Sequence, residues 1–295
     1  MIIMRKLVIL IGTALILASY GQGNCQHADQ MVSIGSHSLQ IHREGTGTPA
    51  VVIDAGITDQ LEKLRPLQER LARETLVVTY NRAGYGQSEP GPLPRDVGRE
   101  VGELKAMLEK ASVPGPYVLV GHSLGALNVQ VFASRYPHDV AGMILLDPPP
   151  LSFMLGKDYA DLGAMATRMT EEWQAIADSA AKSNDSQEKT RSAFFRMIAS
   201  EHREMFGETA RLVGRISTFG DIPLVVVAAG KPNPRFGEGA EEYQRYWIEQ
   251  SRALTAKSSR GRFVLAGESS HYLYLDAPEL VAENILSVVS EVRAK

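Results

Sequence analysis

One serine of the chain has the sequence context of a nucleophile. Ser123 lies in Gly-His-Ser-Leu-Gly at positions 121–125, between the apolar, strand-like run 117–120 and a helical pattern. A serine hydroxyl attacks a carbonyl poorly unless it is exposed beside a general base, and a sharp strand-to-helix turn provides that exposure. Gly121 and Gly125 have no β-carbon to collide with neighbouring backbone in such a turn. The pattern therefore predicts acyl-transfer chemistry at Ser123.

The elements that must position this serine alternate along the chain. A strand pair is predicted over 31–42, followed by buried strands at 49–54, 75–80, 117–120, 140–146, 222–229 and 262–266. Helical periodicity separates them, at 59–72, 97–111, 127–136 and 278–292. Such alternation predicts an α/β fold whose mostly parallel sheet is covered by helices on both faces, with ligands at the carboxyl ends of the strands.

Residues 151–220 interrupt the alternation after the sixth strand, because they contain helical patterns at 160–181 and 192–213 and no strand-like run. We expect a helical cap over 151–220 and a core formed by 31–150 and 221–295. The cap carries flexible or aromatic apolar side chains at Phe153, Met154, Met165, Met169, Phe194, Phe195, Met197, Met205 and Phe206. These side chains suit a lid over an apolar acyl group. More often, such side chains pack the helices of a cap against one another.

The overall composition narrows the function classes. The chain has 295 residues, 44% of them hydrophobic, which is enough to bury a large core. Its net charge of −3 comes from basic and acidic residues spread along the chain. Without a polybasic footprint, nucleic-acid binding is disfavoured. No metal-ligand cluster or phosphate-binding glycine loop is evident in the sequence, so we expect neither a metal nor a cofactor.

The N-terminal residues have the layout of a secretory signal peptide. Arg5 and Lys6 precede an uncharged apolar stretch over 7–18, and small and polar residues follow. The stretch is too short to span a bilayer comfortably, so we expect residues 1–25 to be removed on export to the periplasm or medium, leaving no stable membrane span. Cys25 is the only cysteine. Lipid anchoring at Cys25 stays open as an alternative, but the preceding Gln-Gly-Asn matches a bacterial lipobox poorly.

Four motifs resemble those of the α/β-hydrolase superfamily, in the branch with a serine nucleophile and a helical cap. They are Asn-Arg-Ala-Gly-Tyr-Gly-Gln-Ser at 81–88, Gly-His-Ser-Leu-Gly at 121–125, Leu-Leu-Asp at 145–147 and Ser-His-Tyr at 270–272. The resemblance extends over about 31–292. It implies an α/β-hydrolase fold and the chain order nucleophile, acid, histidine, without implying a substrate.

His271 is the candidate base among seven histidines. It follows the last predicted strand, where similar hydrolases keep the histidine that takes the serine proton. The other six are placed less suitably. Three precede the core sheet, one lies at its opposite edge and one lies in the cap, and these are His27, His37, His42, His138 and His202. The sixth, His122, adjoins the nucleophile, but its side chain is expected to project away from it.

The acid that would orient His271 has several candidates. Superfamily members place it after the sixth or the seventh strand, and here no carboxylate follows the seventh until Glu238. Asp147 ends the sixth strand and keeps the family order, so we favour it over Glu238 and Glu241. The competing interpretation of Asp147 is a turn cap without contact to His271. Asp276 is expected to cap the terminal helix before Pro278.

Acyl transfer also requires backbone donors for the developing oxyanion. The N–H of Leu124 directly follows the nucleophile, and the N–H of Ile57 follows the turn at Ala55 and Gly56. Ala55 stands where many relatives have histidine, but a main-chain donor does not depend on that side chain.

The sequence thus predicts an exported serine hydrolase that cleaves a carboxylic ester or related acyl substrate, a small molecule with an apolar group. An aminopeptidase, a carbon–carbon bond hydrolase or an acyltransferase could use the same three residues. A non-catalytic binding protein on the same scaffold is the contrasting hypothesis.

Overall fold

The computed structural model describes residues 28–294. The predicted signal peptide over 1–25, Cys25 and His27 lie outside the described residues. Eight strands form one sheet, and they are β1 (Ala28–Ser33), β2 (Ser38–Glu44), β3 (Val51–Asp54), β4 (Val77–Tyr80), β5 (Tyr117–His122), β6 (Val140–Leu146), β7 (Leu224–Ala229) and β8 (Gly261–Ala266). The strand order is β1-β2-β4-β3-β5-β6-β7-β8. β2 pairs antiparallel with β1 and β4, and all other pairs are parallel.

Helices cover both faces of the sheet. They are α1 (Leu61–Leu71), α2 (Val97–Lys110), α3 (Leu124–Arg135), α4 (Leu151–Met154), α5 (Ala160–Ala180), α6 (Ser186–Met205), α7 (Glu208–Gly214), α8 (Ala240–Leu254), α9 (Leu273–Asp276) and α10 (Pro278–Arg293). Four of them, α4 to α7, lie between β6 and β7. Within residues 28–294, no helix is both long and apolar enough to cross a membrane.

The central strands are buried on both faces, which explains why they read as continuous apolar runs. Every residue of β3, β5 and β7 is buried, as expected for parallel strands between two helical layers. Side chains alternate between the layers. Leu119 joins one core cluster with Leu127 of α3, whereas Val118 and Val120 join the other with Ile285 of α10. The predicted α/β architecture is confirmed.

Two helices differ from the sequence expectation. α6 begins at Ser186 rather than at 192, because the Asp185 side chain accepts hydrogen bonds from the N–H groups of Gln187 and Glu188 at 2.8 and 3.1 Å and caps the helix. α8 was not predicted. Its signal was present in the four-residue spacing of Tyr243 and Trp247, which both contact the aromatic cluster beside the cap.

The parallel strands bring their carboxyl ends to one edge of the sheet. The segments that follow β3, β5, β6, β7 and β8 therefore meet there. These segments contain Ile57, Ser123, Asp147, residues 230–236 and His271.

Candidate active site

Ser123 occupies a strained turn between β5 and α3. Its backbone has φ 52° and ψ −116°, a region that non-glycine residues rarely adopt. A β-carbon at Gly121 would lie 2.4 Å from the carbonyl oxygen of Gly125, and one at Gly125 would lie 2.2 Å from that of Asp54. Both positions thus require glycine because backbone passes within contact distance. The turn directs Ser123 into a cavity at the carboxyl edge of the sheet.

His271 and Asp147 form a hydrogen-bonded pair on the same cavity. His271 Nδ1 lies 2.6 Å from Asp147 Oδ2, and Asp147 Oδ1 accepts a hydrogen bond from the N–H of Ala229 at 2.9 Å. Because an ionised carboxylate only accepts, Nδ1 carries the hydrogen, which leaves the Nε2 lone pair of the neutral ring free to accept a proton. Asp147 itself has φ 47° and is buried, so the turn after β6 holds its carboxylate toward the β8 side.

Ser123 and His271 both line the cavity, but within residues 28–294 no hydrogen bond joins the Ser123 hydroxyl to the imidazole. Contacts of this kind often tighten only when substrate binds.

The alternative acids lie elsewhere. Glu238 is exposed in the short turn before α8, and Glu241 is 82% exposed on α8, where it faces Arg245 at 3.9 Å. Neither lines the cavity. The structure therefore brings Asp147 to His271 and leaves both glutamates in solvent.

Two backbone N–H groups near Ser123 find no acceptor among residues 28–294. Within the described chain, the N–H groups of Leu124 and Ile57 donate no hydrogen bond to backbone or side chain. Leu124 is the first residue of α3, so its N–H adds to the partial positive charge of the helix N-terminus. Ile57 lines the cavity from the loop after β3. Free donors at this point fit an oxyanion site.

The cavity has a volume of about 380 Å³ and is lined mainly by core loops, with Met169 and Trp173 of α5 and Trp247 of α8 closing it. Of the nine methionine and phenylalanine side chains noted in the cap, Met169 alone lines this cavity. The phenylalanine rings make other contacts. Phe153 packs on Phe206 with ring centroids 5.4 Å apart, and Phe194 packs on Tyr85 of the core at 5.1 Å.

Comparison with known proteins identifies the family. Residues 56–284 match the model of the alpha/beta hydrolase family. The chain belongs to this family. The superfamily resemblance of the four motifs is thereby confirmed.

Known relatives of this alpha/beta hydrolase span several activities. The chain is 29% identical over 240 residues to the uncharacterised protein YqjL of Bacillus subtilis, covering 81% of this chain and 83% of the relative. It is 31% identical over 122 residues to the 2-(acetamidomethylene)succinate hydrolase of Mesorhizobium japonicum, covering 40% and 42%. A thermophilic esterase from Thermogutta terrifontis superposes with a TM-score of 0.63 at 18% identity, covering 90% of this chain and 99% of the esterase.

One residue of this alpha/beta hydrolase's cavity was missed by sequence reasoning. His122 was expected to project away from the nucleophile, but its ring lies 4.7 Å from that of His271, and its Nε2 donates to the His271 carbonyl oxygen at 2.8 Å. The signal was strand alternation, which places His122 on the same sheet face as Val118 and Val120. That face packs against Tyr274, three residues after His271.

The surroundings of His122 lower the pKa of its imidazole. Burial is the largest cause that lowers the pKa of His122, and Asp59, whose Oδ2 lies 3.6 Å from Nδ1, partly opposes it. Burial in turn disfavours ionisation of Asp59, but the nearby imidazole of His122 and the hydrogen bonds from Lys63 and Tyr274 together lower the pKa of that carboxyl. Lys63 Nζ and the Tyr274 hydroxyl donate to Asp59 at 2.6 and 2.7 Å.

Asp276 was also predicted incorrectly. It does not cap α10, which begins at Pro278 after Ala277 without a side-chain cap. Its Oδ2 instead accepts from the N–H of Ser270 at 2.7 Å and ties down the loop that carries His271. Among residues 28–294, no three His, Cys, Asp or Glu side chains cluster in a way that could hold a metal ion.

Proposed function

We propose that this alpha/beta hydrolase cleaves a carboxylic ester through an acyl-enzyme on Ser123, with His271 as general base and Asp147 as the carboxylate that orients it. The observation that carries the proposal is the 2.6 Å contact between His271 Nδ1 and Asp147 Oδ2 on the cavity that Ser123 lines. This arrangement is the one that activates a serine hydroxyl.

In the first half of the reaction, Ser123 Oγ attacks the substrate carbonyl carbon and its proton passes to His271 Nε2. The tetrahedral oxyanion accepts hydrogen bonds from the N–H groups of Leu124 and Ile57, which have no other acceptor among the described residues. Asp147 stabilises the imidazolium that forms. His271 then protonates the leaving alkoxide, and the alcohol departs.

In the second half, water replaces the alcohol. His271 takes a proton from the water as it attacks the acyl carbonyl, the oxyanion again forms between the same two N–H groups, and His271 returns the proton to Ser123. The products are a carboxylic acid and the free serine.

The cavity lining supports an apolar acyl group or alcohol. Met169, Trp173, Phe236 and Trp247 present apolar or aromatic surface around Ser123. These four side chains form an apolar part of a lining that also contains several polar and charged side chains, and the apolar part favours burial of an apolar substrate portion. The structural likeness to an esterase shows the fold alone.

A fluorophosphonate probe tests the nucleophile. Wild-type protein should be labelled at Ser123, Ser123→Ala should not be labelled, and Ser287→Ala, which changes a serine on α10 outside the cavity, should be labelled normally. Nitrophenyl esters of graded chain length, compared with amino-acid amides, then define the substrate class. Amide turnover that exceeds ester turnover would favour an aminopeptidase, and a folded but unlabelled wild type would favour a binding protein.

We also propose that the protein is exported, because residues 1–25 have the layout of a cleavable signal peptide. Expression of the full chain in a bacterial host should yield a periplasmic form that begins within 19–26. Processing that globomycin blocks would instead indicate lipidation at Cys25.

A further inference from the structure

We propose that Arg82 is a positioning residue that orients the Ile57 N–H as an oxyanion donor, and that Glu201 of the cap holds Arg82 in place. The cap would thus form part of the oxyanion site. This inference rests on the proposed function. It assigns a role to the Asn-Arg-Ala-Gly-Tyr-Gly-Gln-Ser motif at 81–88, which contains none of the three proposed catalytic residues.

Arg82 binds the backbone of the oxyanion loop directly. It follows β4 and is 4% exposed. Its Nη1 donates to the carbonyl oxygen of Ala55 at 2.7 Å and to Asp54 Oδ1 at 2.8 Å, and its Nη2 donates to the carbonyl oxygen of Gly56 at 3.1 Å. Two consecutive carbonyl groups before Ile57 are therefore held by one guanidinium.

The geometry of a peptide bond converts this contact into a direction for the Ile57 N–H. The Gly56 carbonyl and the Ile57 N–H belong to one planar trans peptide, so they point in opposite directions. Because Arg82 holds the carbonyl oxygen, the N–H points away from Arg82, and Ile57 lines the cavity. A cation on the carbonyl oxygen also polarises the peptide, which makes its N–H a stronger donor.

The cap completes the contacts of the same guanidinium. Glu201 of α6 accepts from Arg82 Nε at 3.1 Å through Oε1 and from Nη2 at 3.2 Å through Oε2. Tyr85 donates its hydroxyl hydrogen to Glu201 Oε2 in a short contact and accepts from the N–H of Thr58 at 3.4 Å. The carboxylate of a cap helix thus reaches both ends of the loop that carries Ile57.

Buried carboxyl groups surround the Arg82 guanidinium and restrict its position. Glu201 and Asp54 are fully buried, and Glu100 lies 3.9 Å from Arg82 Nε. Burial, reinforced by the neighbouring Glu201, raises the pKa of Glu100 well above its usual range, which favours its neutral form. The two remaining carboxylates both bind the single guanidinium of Arg82, so the loss of its fork-shaped contacts would leave buried charges unpaired.

A purely structural ion pair would not need the two backbone carbonyls. A lysine could neutralise the same carboxylates, but as a point charge it could not bind Glu201 and the Ala55 and Gly56 carbonyls together. Arg82→Lys therefore keeps the positive charge at this position but removes the contacts that would orient the Ile57 peptide. Glu201→Gln keeps Arg82 and weakens the cap side. Tyr85→Phe also keeps Arg82 but removes a hydroxyl that bonds Glu201, Arg82 and the Thr58 N–H.

Arg95→Lys is the matched control. Arg95 is also a buried arginine, donates twice to Glu103 at 2.7 and 2.5 Å, and makes no hydrogen bond to residues 55–57 among the described contacts. It should lose stability to a degree comparable with Arg82→Lys without a change in turnover per active site.

The experiment measures kcat and KM per site titrated with fluorophosphonate, the affinity for an arylboronic acid, and amide hydrogen exchange at Thr58 and Asp59, whose N–H groups donate to the Tyr85 hydroxyl and the Gly56 carbonyl. For Arg82→Lys we expect kcat and boronate affinity to fall about 10- to 100-fold with KM within about threefold. Exchange at the two amides should accelerate at least about tenfold. Glu201→Gln and Tyr85→Phe should shift all three readouts in the same direction by smaller factors.

Equal kcat and equal exchange in Arg82→Lys and Arg95→Lys would overturn the proposal. If Arg82→Lys does not fold, unchanged readouts in both Glu201→Gln and Tyr85→Phe would overturn it as well. A wild type without labelling or turnover would refute the proposed function, while the exchange comparison would still decide whether Arg82 orients the loop.

Discussion

The carbonyl oxygen of His271 accepts a hydrogen bond from His122 Nε2 at 2.8 Å, so the residue that precedes the candidate nucleophile holds the loop of the candidate base. The two residues are 149 positions apart in the chain. Because the His271 side chain is also bound to Asp147, its backbone is held by the last residue of β5 and its ring by the residue that follows β6.

Replacement of His122 should therefore impair turnover more than folding. In His122→Phe an aromatic ring is kept but the donor to the His271 carbonyl is lost, so His271 should sample unproductive positions. We expect kcat to fall about tenfold, since small misplacements of a catalytic group are costly. Tyr274→Phe, which keeps His122 and removes only the hydroxyl on Asp59, is the control. A His122→Phe variant with wild-type kcat per titrated site would show that other contacts suffice to hold the loop.

Asp147→Asn should abolish most of the activity while the fold persists. The amide oxygen can still accept from the Ala229 N–H, but the side chain no longer stabilises a protonated His271. We expect a fall in kcat of about two to four orders of magnitude, measured with a nitrophenyl ester. Glu241→Gln should leave kcat unchanged because Glu241 is exposed on α8. A fall in kcat for Glu241→Gln, with kcat unchanged for Asp147→Asn, would instead identify Glu241 as the acid.

Gly125→Ala should destabilise the turn that carries Ser123. The new β-carbon would lie 2.2 Å from the Asp54 carbonyl oxygen, so the backbone must shift. We expect a loss of about 1–3 kcal/mol in the free energy of unfolding, together with slower fluorophosphonate labelling. Gly102→Ala in α2 is the control, since nothing lies within 4 Å of its β-carbon position. That variant should gain about 0.5–1 kcal/mol from helix propensity. Equal free energies of unfolding in the two variants would contradict the close approach of the Asp54 carbonyl to Gly125.

The buried ring of His202 should make the free energy of unfolding decrease at acidic pH. Burial lowers the pKa of His202 from 6.5 to about 4, and its Nδ1 lies 2.6 Å from Thr170 Oγ1. The folded state therefore keeps a neutral ring while the unfolded chain binds a proton below pH 6.5. Stability from this group is fully present above that pH and is lost as the pH falls toward 4, by an amount on the order of 3 kcal/mol.

Denaturant unfolding of wild type and His202→Gln at pH 7.5 and pH 4.5 measures this dependence. The wild type should lose more of its free energy of unfolding between the two conditions than the variant does. His138→Gln, which changes an exposed histidine, should behave as the wild type. Parallel pH profiles for wild type and His202→Gln would assign the acid sensitivity to other groups.

Local pattern was sufficient for the sheet and for the strand-to-helix turn. β6 was predicted with the observed bounds, 140–146, because an apolar run between a helix end and a proline cluster needs no distant partner to be recognised. The same holds for Ser123, whose flanking glycines report a close backbone approach that only such a turn requires. The family and the α/β architecture followed from these signals and are confirmed.

The distances between side chains were decided by tertiary structure. Sequence order left Asp147, Glu238 and Glu241 as candidate acids, and the placement of β6 beside β7 with β8 next to it brought Asp147 alone to His271. His122 and Arg82 acquired their contacts in the same way, because a residue's neighbours across a sheet or beneath a cap depend on strand order and helix docking. The local periodicity of the chain determines neither the strand order nor the docking of the helices.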